Sequence, residues 1–270
     1  MTEDKNRQDG DWDHSTHDQF FQYYANQSIT PETLQRFRRQ RDILLSLTPS
    51  GKTGLTVADI GCGAGTLALV WSELGHHVTG LDINEQLIEL ARERAKEAGI
   101  DAVFHLGSAT DIPMDTASID ICSAPELLEH VVEWEKCLDE FARILRPGGV
   151  LYLSTTNKLC PRQSEFNLPF YSWYPGLLKR RYERLAVTTR PEVANYAKYP
   201  AVHWFSYYSL RAALAARGFN RFYDRFDLAA VLPNSGSKRA ILSTIRALPP
   251  LRFAGQFAIS ASTIAAIKAD

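Results

Sequence analysis

The sequence predicts an α/β fold built around one ligand crevice, and three observations carry that prediction. An apolar strand from Leu55 to Ile60 runs into the glycine-rich turn Gly61-Cys62-Gly63-Ala64-Gly65, which opens a helix at Thr66. A second strand, His77 to Ile83, carries Asp82 near its end, roughly twenty residues past the turn, where an acid is placed to take ribose hydroxyls. The length, 270 residues, suits one sizeable α/β domain with additions.

The first helix after the turn rests on Leu67, Val70, Trp71 and Leu74, one apolar face of a 3.6-residue period, and Gly75 ends it. Glycines let backbone N–H groups approach a ligand, and the helix N-terminus adds partial positive charge. The spacing is G-x-G-x-G, because Thr66 stands where a dinucleotide fold has its third glycine. Asp59, inside the strand end, is placed to hold the turn or to accept a ligand ammonium. The ligand favoured is a nucleoside with a cationic amino-acid tail and no pyrophosphate.

The remaining elements follow in order. Asn84 caps a helix with Leu87, Ile88, Ala91 and Ala95 inward, closed by Gly99. Strands follow at Ala102 to Leu106 and Ser118 to Ser123. A helical turn at Pro125 to Val131 comes next, then a helix with Trp134, Leu138, Phe141 and Leu145 on one face. The Arg146-Pro147-Gly148-Gly149 turn leads to a fifth strand, Val150 to Ser154. After an interruption, a helix closed by Gly218 precedes a strand at Phe219 to Leu228, and Phe257 to Ile267 is the last strand. Near the start, Met1 to about Asp18 reads as disordered, Phe20, Phe21, Tyr23 and Tyr24 cluster, and a helix begins after Thr30 with Pro31 in its first turn.

Asp59, Gly61, Gly63 and Gly65, together with Asp82, resemble the first motif and ribose-binding acid of the class I S-adenosylmethionine-dependent methyltransferases. The resemblance runs from about Leu55 to Thr156 and resumes near His203. It implies a Rossmann-like methyltransferase fold: a mixed, mostly parallel seven-stranded sheet of order 3-2-1-4-5-7-6, helices on both faces and an inserted lid. It also implies S-adenosylmethionine as cofactor, held by Asp59, Gly61, Cys62, Gly63, Gly65, Asp82, Ile83, Ser108, Ala109 and Pro125. N-terminal helices cover the cofactor in this family, and Arg38 or Arg41 is placed to meet its methionine carboxylate; a solvated basic helix face is the alternative. Ser108 stands where relatives commonly carry an adenine-contacting Asp, so Ser108 or the backbone of Ala109 is expected to read the base.

The chain thus divides into a polar tail and covering helix (1–50), a cofactor-binding core (51–157), a lid (158–202) and the rest of the core (203–270) with a basic–apolar insertion near 234–255. The lid is rich in aromatics, among them Phe166, Tyr171, Trp173, Tyr182, Tyr196 and Tyr199, and in bases from Lys179 to Arg190. Aromatic walls favour a planar or apolar acceptor, and mixed basic–apolar segments favour an anionic membrane interface. The alternative is a lid that packs its aromatics inward.

Composition excludes several classes. A formal net charge of −1 supplies no field to recruit nucleic acid. The four cysteines show neither C-x-x-C nor zinc spacing, which fits a reduced, cytoplasmic setting, peripheral to the inner face of the membrane if the interface reading holds. No signal peptide and no run of about twenty apolar residues is expected. Oligomeric state is not legible.

Methyl transfer needs a positioned nucleophile, a dry pocket and a route for its proton. On a helical turn, Glu126 would converge with Glu129 and His130, giving an oxygen-preferring divalent site, magnesium by preference, able to acidify a phenol. Glu126-x-x-Glu129-His130 resembles the segment that binds a divalent metal in ubiquinone-pathway O-methyltransferases. Otherwise these residues cap and hydrogen-bond, with His130 as general base. His203 is a second base candidate. His76 and His77 read as surface or pairing residues, and nothing marks Cys160 as activated. The expected reaction is O-methylation of a small or lipophilic hydroxyl acceptor, a quinol or isoprenoid-tailed phenol first. The alternatives are N- or C-methylation of a sugar or polyketide intermediate and a non-catalytic cofactor binder.

Overall fold

Seven strands pair in the order β3-β2-β1-β4-β5-β7-β6, the order the resemblance implies. A computed structural model describes residues 26–48, 53–163, 165–194, 201–233 and 235–270. The polar start, the Phe20–Tyr24 cluster, Tyr196, Tyr199 and Asn234 lie outside the described residues. β1 (Thr56–Ile60), β2 (His77–Asp82), β3 (Ala102–Leu106), β4 (Ile119–Pro125) and β5 (Leu145–Thr156) run parallel. β7 (Ala261–Lys268) inserts antiparallel between β5 and β6 (Phe219–Asp224).

Helices form where the apolar period and the caps agree. Thr30 caps α1 (Pro31–Leu47) by accepting from the Thr33 N–H at 3.3 Å. α2 (Thr66–Ser72) follows the glycine turn, and α3 (Glu85–Ala98) starts at Asn84, whose side chain accepts from Leu87, and ends at left-handed Gly99. α4 (Trp134–Ile144) buries Cys137, Leu138, Phe141 and Ile144 against the sheet. One buried cluster, including Leu138, Phe141, Leu153 and Leu210, fills one face; a second, including Leu44, Leu67, Trp71 and Ile88, fills the other.

Four expectations need correction. The Arg146–Gly149 turn is absorbed into β5 as an irregularity: register shifts between the Ile119↔Leu145 and Ile121↔Val150 pairs, with Gly148 at φ 72°. β6 stops at Asp224 rather than Leu228, because Asp224 accepts from the N–H groups of Phe226 and Asp227 and so starts α7 (Arg225–Val231). The segment after Pro125 is a turn, not a helix, since Glu126 takes a left-handed φ of 54° that breaks helical hydrogen bonding at once. His76 is buried, its Nδ1 accepting from the Leu55 N–H at 3.2 Å beside Trp71.

The lid has a core of its own. Phe166 stacks on Tyr171 at 3.9 Å, and both gather with Ala186, Tyr182 and Trp204. Its helix α5 (Gly176–Thr188) packs there, so part of the aromatic content turns inward. Cys160 is also buried. The chain returns through Val202 and His203, whose N–H groups donate to the Glu129 carbonyl, into α6 (Tyr207–Ala215). The second insertion is a pair of helices, α8 (Gly236–Ala247) and α9 (Pro249–Gln256). Buried Asn157 ties it to the end of β5 by donating to the Gln256 and Ile259 carbonyls.

Gly80, paired with Asp59 across β1 and β2, packs where a Cβ would lie 2.7 Å from Phe104 and 2.9 Å from the Cys62 sulfur. Gly80→Ala is therefore expected to cost about 1–3 kcal/mol by overpacking. Urea unfolding measures it, and adding Phe104→Leu should recover part of the loss.

Candidate functional site

The turn between β1 and α2 is held shut from within. Gly61, Gly63 and Gly65 all take positive φ, and at Gly65 a Cβ would sit 2.9 Å from that of Ala91. The N–H groups of Gly61 and Cys62 donate to the Leu81 carbonyl, Gly65 donates to Cys62, and Gly63 donates to the Asp82 carboxylate at 2.8 Å. The other Asp82 oxygen accepts from Asn84. These four donors are spent inside the protein, so the turn offers fewer N–H groups than its glycine spacing suggests. What it turns toward the adjoining space is a carboxylate.

That carboxylate is Asp59. It is buried, lines a cavity of about 920 Å³, and accepts no hydrogen bond from any described residue. Burial, then the nearby charge of Asp82, pushes its pKa up to about 8. Burial also raises Asp82, against the pull of the N–H groups of Asn84, Gly63 and Ile83. Cys62 lines the same cavity and its thiol is pushed up, mainly by burial. Ser28 and Gln27 close the cavity from above; Thr66 donates to the Ser28 carbonyl at 2.9 Å, and Arg94 donates to the Ser28 hydroxyl at 2.9 Å.

From Asp59 the cavity crosses the sheet face beneath α1. Asp59, Ser123 on β4 and Tyr152 on β5 are register partners, so their side chains share one face. Gln40 of α1 donates to the Ser123 hydroxyl at 2.8 Å and anchors the helix over this row. Beyond Tyr152 lie Arg225, Leu228 and Leu232 of α7 and its C-cap, and Thr263 of β7. Burial raises the Tyr152 phenol to about 12.

Of the predicted residues, Asp59, Gly61, Cys62, Gly63, Pro125 and Glu126 line this cavity. Gly65 and Asp82 shape the turn behind it, and Ile83, Ser108 and Ala109 lie past β2 and β3 outside its walls. Ser108 instead shares a hydrogen bond with Thr110 at 2.8 Å. Arg38 and Arg41 point away: Arg38 forms a bidentate pair with Glu73, and buried Arg41 bonds Glu73 and the Val70 carbonyl. The arginines on the cavity side of α1 are Arg36 and Arg39, one helical face round. The 36, 40, 43 spacing held that signal, but not which face meets the crevice.

The Glu126–Glu129–His130 group does not converge as a helical turn would make it. Left-handed Glu126 sends its side chain outward to Arg36, 3.8 Å away, while Glu129 is buried and accepts from the Thr155 hydroxyl at 2.7 Å. Burial raises the Glu129 carboxyl to about 8. His130 is half-buried and does not line the cavity. Among the described residues no group of three or more His, Cys, Asp or Glu is arranged to hold a metal ion. His203 also stands off the cavity; its Nε2 lies 3.2 Å from the Val132 carbonyl, its ring packs edge-on to Trp134, and burial lowers its pKa.

Residues 58–153 match the family described as "Methyltransferase domain". Two curated relatives named "Ubiquinone biosynthesis O-methyltransferase" match part of the chain. The one from Xanthomonas oryzae pv. oryzae is 36% identical over 106 residues, 39% of this chain and 44% of that one. The one from Aromatoleum aromaticum is 36% identical over 110 residues, 40% and 47%. The matched stretch therefore spans less than half the length of these relatives. Among solved structures, the PH0226 protein from Pyrococcus horikoshii superposes with a TM-score of 0.58 at 15% identity, covering 93% of this chain and 99% of that one. A SAM dependent methyltransferase from Aquifex aeolicus gives 0.53 at 16%, covering 90% and 96%. The fold is the Rossmann-like methyltransferase fold.

A carboxyl whose folded pKa lies above its unfolded value favours the fold below pH 4, and that contribution is lost as pH rises toward the folded value. The ligand-free chain should accordingly melt roughly 5–10 °C lower at pH 8 than at pH 5 through Asp59 alone. Calorimetry across that range measures this, and Asp59→Asn should reduce the slope, leaving the part that the likewise raised Asp82 and Glu129 contribute.

Proposed function

We propose that this chain is an S-adenosylmethionine-dependent methyltransferase acting on a hydroxyl of a small or lipophilic acceptor, a quinol or isoprenoid-tailed phenol being the first choice. The observation that carries the cofactor reading is the buried, unpartnered Asp59 carboxylate at the glycine turn. A cation is the ligand such a group lacks, and four N–H groups of the turn are already spent within the protein. Asp59 would take the ammonium, the Gly61–Gly63 backbone would pass close beneath the amino-acid chain, and Asp82 would offer its remaining lone pairs to ribose. The acceptor half of the reading draws its support from the named O-methyltransferase relatives, whose similarity covers 39% and 40% of this chain.

When bound, S-adenosylmethionine supplies an electrophilic methyl on a positively charged sulfur. The chain's part is to position the acceptor and take its proton. Glu126 is the carboxylate at the end of β4 that lines the cavity, so it is the proton acceptor in this reading, with Arg36 steadying it. Phe37, Ile43, Leu228 and Leu232 supply apolar walls that suit a lipophilic acceptor.

The same reading has the chain meet its acceptor at an anionic membrane surface. Phe170, Trp173, Leu177 and Leu178 are exposed at the start of α5, and Arg180, Arg181 and Arg184 are exposed along it. No helix among the described residues is long and apolar enough to cross a membrane. Flotation with anionic vesicles should show binding that weakens as salt is added; binding insensitive to salt, or none, removes the membrane contact.

Incubation with S-adenosylmethionine and a prenylated catechol, followed by mass analysis, is expected to yield a methyl ether. Glu126→Gln should lower kcat about 100-fold with the affinity for S-adenosylhomocysteine retained. A methyl on nitrogen or carbon of another acceptor, with the ether absent, would overturn the O-methyl assignment.

A further inference from the structure

The far end of the cavity holds two polar groups that the cofactor does not need. Arg225, half-buried at the first position of α7, forms no hydrogen bond or ion pair with any described residue. Its sequence neighbour Asp224 is unavailable, because its carboxylate already accepts from Arg252 at 2.6 Å and from the N–H groups of Phe226 and Asp227. Tyr152 stands beside it with a hydroxyl that likewise has no hydrogen-bond partner among the described residues, and the charges of Glu126, Arg225 and Arg36 bear on that phenol. A guanidinium withdrawn from water without an acceptor is costly, and its planar fork suits a two-oxygen anion.

That anion is not the cofactor's own carboxylate. Neighbouring strands lie about 4.8 Å apart, so Tyr152, two strands from Asp59 along one register row, has its Cα roughly 10 Å from that of Asp59. An amino acid carries its ammonium and carboxylate on a single carbon, and a headgroup seated on Asp59 leaves the Tyr152 end open. The charges that bear on Arg225 are those of Tyr152 and Asp224, whereas Asp82 bears on Asp59. Arg36 is paired with Glu126 and Arg39 is exposed to solvent, which leaves Arg225 as the half-buried positive charge beside one hydroxyl. One charge and one hydroxyl match a carboxylate better than a doubly charged phosphate.

We infer that the methyl acceptor bears a carboxylate, held by the Arg225 guanidinium and the Tyr152 hydroxyl, with its apolar body along Leu228 and Leu232. This refines, and rests on, the methyltransferase reading: the preferred acceptor is a hydroxylated acid rather than a neutral quinol.

Isothermal titration of the full chain with 4-pentylbenzoate and with its methyl ester, in the presence and absence of S-adenosylhomocysteine, tests it. The acid is expected to bind about ten-fold more tightly than the ester, the scale of a charge-assisted hydrogen bond. Arg225→Met should abolish that preference with S-adenosylhomocysteine affinity unchanged. Arg225→Lys, which keeps the charge and loses the fork, should retain part of it and carries the test if the methionine variant does not fold. Equal binding of acid and ester by the unaltered chain overturns the inference. So does an Arg225→Met variant that keeps the preference but loses S-adenosylhomocysteine, since the arginine would then serve the cofactor. Should S-adenosylhomocysteine fail to bind while the Arg225-dependent acid preference persists, the anion site stands and the methyltransferase reading falls.

Discussion

The structure depends on two carboxyl groups, one buried and one half-buried, at the ends of β1 and β2. Asp82 spends its oxygens on the N–H groups of Gly63 and Asn84, which fixes both the glycine turn and the start of α3. Asp59, one strand away, has no such partners and is left raised in pKa by burial and by its neighbour. One acid thus builds the turn and the other is kept in reserve by it. The glycines make this approach feasible, since a side chain at Gly65 or Gly80 would collide with Ala91, Phe104 or Cys62.

Electrostatics then divides the cavity along the sheet. The Asp59 end is acidic and bordered by Ser28 and Thr66, with Arg94 tying Ser28 to Ala64. Between the ends, Gln40 bridges α1 to Ser123 and Arg36 pairs with Glu126. The Arg225 end is cationic and edged by aliphatic side chains of α7. A cationic ligand and an anionic one would each find the end that complements it, which orients two reactants toward the centre without a moving part.

How much of this could be read beforehand depends on range. The glycine turn, Asn84, Gly99 and the strands of the parallel half are local signals, carried by residues a few positions apart, and they are where the sequence placed them. Errors arose where a distant partner decides the outcome. Glu126, Glu129 and His130 have helical spacing, but the pairing of the Glu126 N–H with the Ser154 carbonyl on β5 goes with a left-handed residue that sends the side chains apart. Arg38 and Arg41 are basic residues on the expected helix, yet Glu73 of the α2 C-cap claims them. Tyr152 and Arg225 carry no motif at all; they become a site only because β5, β7 and α7 bring them together. Asp224 shows the same limit in reverse: a strong N-cap inside an apolar run ended β6 four residues early.

Titration of the chain with S-adenosylhomocysteine at pH 7 in two buffers of different ionisation enthalpy tests the central role of Asp59 most directly. If an ammonium settles against this carboxyl, it must ionise, and binding should release close to one proton, a release that Asp59→Asn abolishes. Heats independent of the buffer, or the same proton release from the asparagine variant, would contradict the account.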